Sequence, residues 1–160
     1  DTEGHAWIAA STADEDAQES ERLQGGFFTH FLVSGLRGAA DTGDGWVSLS
    51  EAYTYAHERT VARTSGSAAG TQHPTYAFHL EGTRELRLTA VEKADSRLRL
   101  PPTTEGVVSV QRLRDGLPMA EVRTVAGRPT TLALPPGRYL LRRRHQGELF
   151  EVTANLGTGE

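Results

Sequence analysis

Apolar residues at Phe27, Phe28, Phe31, Leu32 and Leu36 recur every three to four positions, which lines one face of a helix that must be buried. Gly38 follows where a left-handed helix cap is favoured, and Asp41-Thr42-Gly43-Asp44-Gly45 turns the chain. Ser48 and Glu51 form an S-x-x-E capping box. It opens a second helix over 49–64, with Ala52, Tyr55, Ala56 and Thr60 on one face. Residues 65–70, SGSAAG, end that helix as a flexible connector. Upstream, the short run HAWIAAS at 5–11 has the apolar density of a buried strand. After Gln72-His73-Pro74 come two extended pieces, 75–80 and 85–90. The second sets Leu86 and Leu88 against Glu85, Arg87 and Thr89.

Beyond residue 91 the chain turns charged and reaches Pro101-Pro102, a natural boundary. The period is then two throughout. Val108 and Val110, Ala120 and Val122, Leu132 and Leu134, Tyr139 and Leu141, and Phe150 and Val152 mark five short strands. Asp115-Gly116, Gly127, Pro135-Pro136-Gly137 and Gln146-Gly147 separate them. The pattern predicts two units: residues 1–92, then a sandwich-like or open-barrel β-module over 103–160, with 93–102 as linker. A module that short is marginal alone, so it is expected to dock on the first unit.

Composition narrows the function classes. The formal charge of −4 in 160 residues attracts neither nucleic acid nor an anionic membrane, and no apolar run is long enough to span a bilayer. Arg142-Arg143-Arg144 reads as a strand whose cations guard an edge. Asp1-Thr2 stands where a Met would, which suggests a processed or truncated piece. There is no cysteine, so disulfides, thiolate metal sites and a cysteine nucleophile are excluded on this chain. The six histidines show no ligand spacing. Ser11 with His5 or His30 lacks the G-x-S-x-G elbow of a serine hydrolase.

Two acidic stretches are candidate sites. Residues 14–21 carry five carboxylates after the first strand, where α/β sheets often bind ligands; the same residues also suit a solvated loop. Asp41, Asp44 and Glu51 follow part of a calcium-loop pattern, but the loop is one residue short and lacks the third-position ligand. A tight turn followed by a capping box accounts for the same residues.

In order, Trp7-Ile8-Ala9-Ala10-Ser11-Thr12-Ala13-Asp14-Glu15, Gly26-Phe27-Phe28-Thr29, Gly35-Leu36-Arg37-Gly38-Ala39-Ala40-Asp41, Asp44-Gly45-Trp46-Val47-Ser48-Leu49-Ser50-Glu51-Ala52-Tyr53 and Gln72-His73-Pro74-Thr75 make up a set of separated motifs. This set resembles the C-terminal, small-subunit region of bacterial caspase-like cysteine peptidases of the metacaspase and orthocaspase kind, over roughly residues 5–90. The resemblance implies an α/β caspase-type small-subunit region followed by the all-β module. The His-Gly and Asp-x-Cys signatures of the large subunit are absent here, so the Cys/His dyad is expected on a partner segment and the isolated chain is expected to be inactive. Animal caspases carry a Ser-Trp-Arg whose arginine helps select aspartate; the matching place here is Gln18-Glu19-Ser20. With Ser11, Asp14, Asp16 and Glu19 as substrate-groove candidates, a carboxylate-lined groove favours Lys or Arg in a peptide substrate. A non-catalytic interaction module on the same scaffold is the alternative. Similar halves occur both in the cytoplasm and beyond a signal peptide, which leaves the compartment open.

Overall fold

A computed structural model of the chain describes residues 3–82 and 85–159. Asp1, Thr2, Thr83, Arg84 and Glu160 lie outside the described residues, and with them the expectation placed on Asp1. In chain order the elements are β1 (Glu3–Ala9), β2 (Glu19–Ser20), β3 (Gly25–Gly26), α1 (Phe27–Ser34), a π-turn (Gly35–Ala39), β4 (Trp46–Ser48), α2 (Leu49–Thr64), β5 (Thr75–Glu81) and β6 (Arg87–Ala90). A 3-10 turn (Val91–Lys93) leads to β7 (Arg97–Leu100), β8 (Gly106–Arg112), β9 (Pro118–Thr124), β10 (Thr130–Ala133), β11 (Gly137–His145) and β12 (Glu148–Leu156).

Among the described residues the chain is mostly β, with two short α-helices and five small sheets, none closed into a barrel. This corrects the α/β caspase-type expectation. β1 pairs antiparallel with β5 alone, and among the described residues no sheet holds parallel strands flanked by helices on both faces. The helix and strand motifs are local signals. They do not specify how many strands a sheet will contain.

Locally, the hydrophobic pattern held for the helices. The buried strand expected over 5–11 is instead a largely exposed one, with Trp7 70% exposed, because β1 pairs with β5 alone among the described residues. Phe28 and Phe31 of α1 are buried against Tyr53 and Ala56 of α2, with Ile8, Ala10 and Phe78 closing the cluster. The capping box of α2 is complete: the Ser48 side chain accepts from the Glu51 backbone, and the Glu51 carboxylate accepts from the Ser48 N–H at 2.9 Å. Gly38 has φ +116° inside the π-turn. A Cβ there would lie 2.3 Å from the Thr131 carbonyl oxygen of β10, so glycine serves close backbone approach as well as the turn.

The five strands expected after residue 103 are β8 to β12, and the stretch 93–102 contributes β7 to the same unit. One sheet has the order β12-β11-β8-β9; β10 and β7 form a second, two-stranded layer. Leu98, Leu100, Val110, Leu132, Tyr139 and Leu141 are among the residues buried between them. The expected docking of the two units is present. Glu121 on β9 pairs with Arg59 of α2, its N–H donates to the Ser34 hydroxyl at 3.1 Å, and its carbonyl accepts from the Tyr55 hydroxyl at 2.6 Å. Arg37 donates to the carbonyl of Met119.

Candidate functional site

The polar segment after β1 is held in place by one buried amide. Gln72 is 1% exposed; its Nε2 donates to the Ala10 carbonyl at 2.7 Å, and its Oε1 accepts from the Gln18 N–H at 3.0 Å. Its own N–H donates to the Thr64 hydroxyl at 2.9 Å, which joins the end of α2 to the same knot. Gln18 in turn donates to the Gly70 carbonyl and accepts from the Ser67 hydroxyl, at 2.8 and 2.6 Å. Buried amides satisfied on both sides fix a loop because losing either partner strands a polar group away from water.

Glu15 closes the loop against the segment that precedes β5. Its two carboxylate oxygens meet the His73 N–H and Nδ1, each at 2.6 Å. The His73 backbone hydrogen bond, assisted by the ring, holds the Glu15 carboxyl below the usual glutamate range. Between these tethers Asp14 and Asp16 are exposed, as is Glu19 on β2, where it pairs with Gly26. Ser11 is half-buried beyond the end of β1. The four residues expected in a groove thus lie on one tethered segment, three of them with free access to solvent. Such a segment presents acceptors to a guanidinium or ammonium group.

Sequence reasoning singled out the exposed carboxylates and missed the residues that position them. Gln72 and His73 were visible as a polar pair before a proline, between a flexible connector and a strand. Polar residues placed there read as loop, and only the fold reveals a buried amide. Glu121 was missed for a related reason. It alternates with Ala120 and Val122, and alternation cannot tell whether the outer face of a strand meets water or another layer.

The second acidic stretch has the turn-and-cap geometry. Asp41 Oδ1 accepts from the N–H groups of Gly43 and Gly45 at 2.7 and 3.2 Å, and Asp44 Oδ1 accepts from the Trp46 N–H at 3.0 Å. Asp44 also pairs with Arg87 at 3.2 Å. Burial pushes the Glu51 carboxyl up, but donors from Thr42 and Ser48 outweigh it and hold the group below its usual value. No group of three or more His, Asp or Glu residues able to hold a metal occurs among the described residues.

Where the two units meet, burial pushes the Tyr55 phenol up to about 12 and the His30 imidazole down. Among the described residues the Nε2 of His30 and the Nε of Arg59 have no hydrogen-bond partner. No described helix is long and apolar enough to cross a membrane. Comparison with family models, curated proteins and solved structures returns no match for this chain.

Proposed function

We propose that the chain is the groove-forming, non-catalytic portion of a caspase-like cysteine endopeptidase, working with a partner segment that carries the Cys/His dyad. The observation that carries this reading is the unfinished sheet beneath the acidic loop. β1 and β5 pair only with each other, so each strand keeps one unpaired edge among the described residues. Ile8 and Phe78 pack against the helices, whereas Trp7 on the opposite face is 70% exposed. A two-stranded sheet with one bare face is marginal in water and gains stability from added strands.

A strand added beside β1 brings its own end next to residues 11–19, where Asp14, Asp16 and Glu19 accept hydrogen bonds from a basic substrate side chain. The ordered motifs of residues 5–75 favour a caspase-like partner. The absence of cysteine favours the alternative, an interaction module, and the two readings part on one experiment. The complex that forms around this chain in its native cell is purified, treated with iodoacetamide and mapped by intact mass and peptides. The expected result is a bound segment with a rapidly alkylated cysteine, and arginine-containing fluorogenic peptides cleaved faster than aspartate-containing ones. An Asp16→Asn change should lower that preference. A complex with no reactive cysteine and no cleavage of either peptide overturns the peptidase reading in favour of the interaction module.

A further inference from the structure

The β-module has two layers of unequal width. Cross-strand register sets Tyr139 opposite Ala154, Leu141 opposite Val152 and Arg143 opposite Phe150. Tyr139 and Leu141 are buried in the core, so Val152 and Phe150 point to the same inner side. They are nevertheless 60% and 44% exposed. The reason is the narrow second layer: Ala154 and Leu156 at the C-terminal end of β12 pack into the core, and nothing described covers the inner face of β12 at Phe150 and Val152.

The uncovered space is a groove of about 580 Å³, lined by Leu98, Leu100, Val108, Leu141, Phe150 and Val152. All four β7 residues but Arg97 reach it, and no residue of β10 does. The groove therefore runs along the edge of β7 that faces away from β10, its one partner among the described residues. At its rim Arg143 stacks on Phe150, 4.8 Å from the ring centroid, and forms no ion pair among the described residues. A bare strand edge, an apolar floor with period two and an unpaired cation describe a site for one more strand.

We propose that this groove binds an extended peptide segment of another protein, which adds to β7 as a third strand, seats alternate apolar side chains on Val152 and Phe150 and sets a carboxylate against Arg143. Strand addition of this kind takes affinity from main-chain hydrogen bonds and selectivity from the alternate pockets. The charge chooses the occupant's chemistry: Arg99 and Arg143 both line the groove and neither forms an ion pair among the described residues, so a segment that carries a carboxylate is favoured. The inference does not depend on the peptidase reading, because it uses neither the acidic loop nor a catalytic partner.

The test uses the full chain and a fluorescein-labelled peptide of alternating valine and threonine, closed at each end by glutamate. Anisotropy should saturate, and amide exchange should slow across residues 97–100. Val152→Arg fills the groove at an exposed position, so it should weaken binding about tenfold or more while the thermal melt stays in place. Arg143→Gln should weaken the glutamate peptide and leave a glutamine-closed peptide unchanged. Three results overturn the proposal: no saturation, equal binding by the Val152→Arg chain, or equal binding of a peptide with proline at alternate positions. A concentration-dependent dimer that Val152→Arg abolishes, with no peptide binding, assigns the groove to a second copy and overturns it as well.

Discussion

The two units solve the same problem in opposite ways. In the C-terminal unit, strands in two layers enclose a continuous core from Leu98 to Leu156. In the N-terminal unit, α1 and α2 meet β1 and β5 around Phe28, Phe31, Tyr53 and Ala56, while a separate small cluster forms around Val47, Ala52 and Val91. From length alone the β-module seemed the dependent partner. The core residues point the other way: the module has the larger continuous core, and the two units meet through Ser34, Tyr55 and Arg59 on one side and Glu121 on the other. Short length is a poor guide when one unit gathers its buried apolar residues in a single cluster and the other divides them between two.

The strongest way to break this comparison is to cut a hole in each core. Leu132→Ala, at a fully buried site, should cost about 2–5 kcal/mol and unfold both units together, since the helical unit loses its support. Phe31→Ala should cost a similar amount, about 3–5 kcal/mol, yet leave the β-module folded. Urea unfolding followed by Trp7 and Trp46 fluorescence, with amide spectra of residues 106–156, separates the two outcomes. A single shared transition for Phe31→Ala would show that the units are mutually dependent.

A smaller effect probes the joint itself. Glu121→Gln keeps the backbone bonds to Ser34 and Tyr55 but removes the charge facing Arg59, whose side chain is only 16% exposed. The loss should be about 2 kcal/mol, the scale of a hydrogen bond to a charged group, and should fall on the helical unit in hydrogen exchange. Smaller again, Ser48→Ala should cost about 1 kcal/mol through the lost cap and appear as fraying at residues 49–52.

The smallest effects are set by pH. Both Glu15 and Asp115 have carboxyls lowered in the fold, so each contributes fully above its ordinary range and loses that contribution as pH falls through the folded value. Hydrogen bonds from Arg112 hold Asp115 at about 2, so its contact with Arg112, 2.7 Å at the shortest, should survive to nearly that pH. Glu15 is lowered less, and its hold on His73 should be released first. Carboxyl chemical shifts followed by carbon NMR during acid titration check the order. Release of Asp115 before Glu15 would contradict it.

What the sequence made legible follows range. The cap at Ser48, the turn at Asp41 and the strands around Val108 and Tyr139 are set by neighbours within a few positions, and each was readable. The sheet partner of β1 was not: Ala9 pairs with Thr75, and no local rule specifies a partner so distant. At the candidate site the exposed carboxylates were legible as charge, while the Gln72 amide that orients them depends on contacts to residues 10 and 18, far along the chain. The fold-class expectation failed at the same range.

The pairing of β1 with β5 also has a consequence in time. A ribosome releases the chain from its N-terminal side, so β1, with Trp7 bare, leaves the tunnel long before Thr75–Glu81 can pair with it. The surfaces that steady α1 and α2, at Met119 and Glu121, emerge later still. The helical unit must therefore wait for β5 and the β-module to be made before these contacts can form. The hairpins β8–β9 and β11–β12 close within a few residues of their turns and wait for nothing.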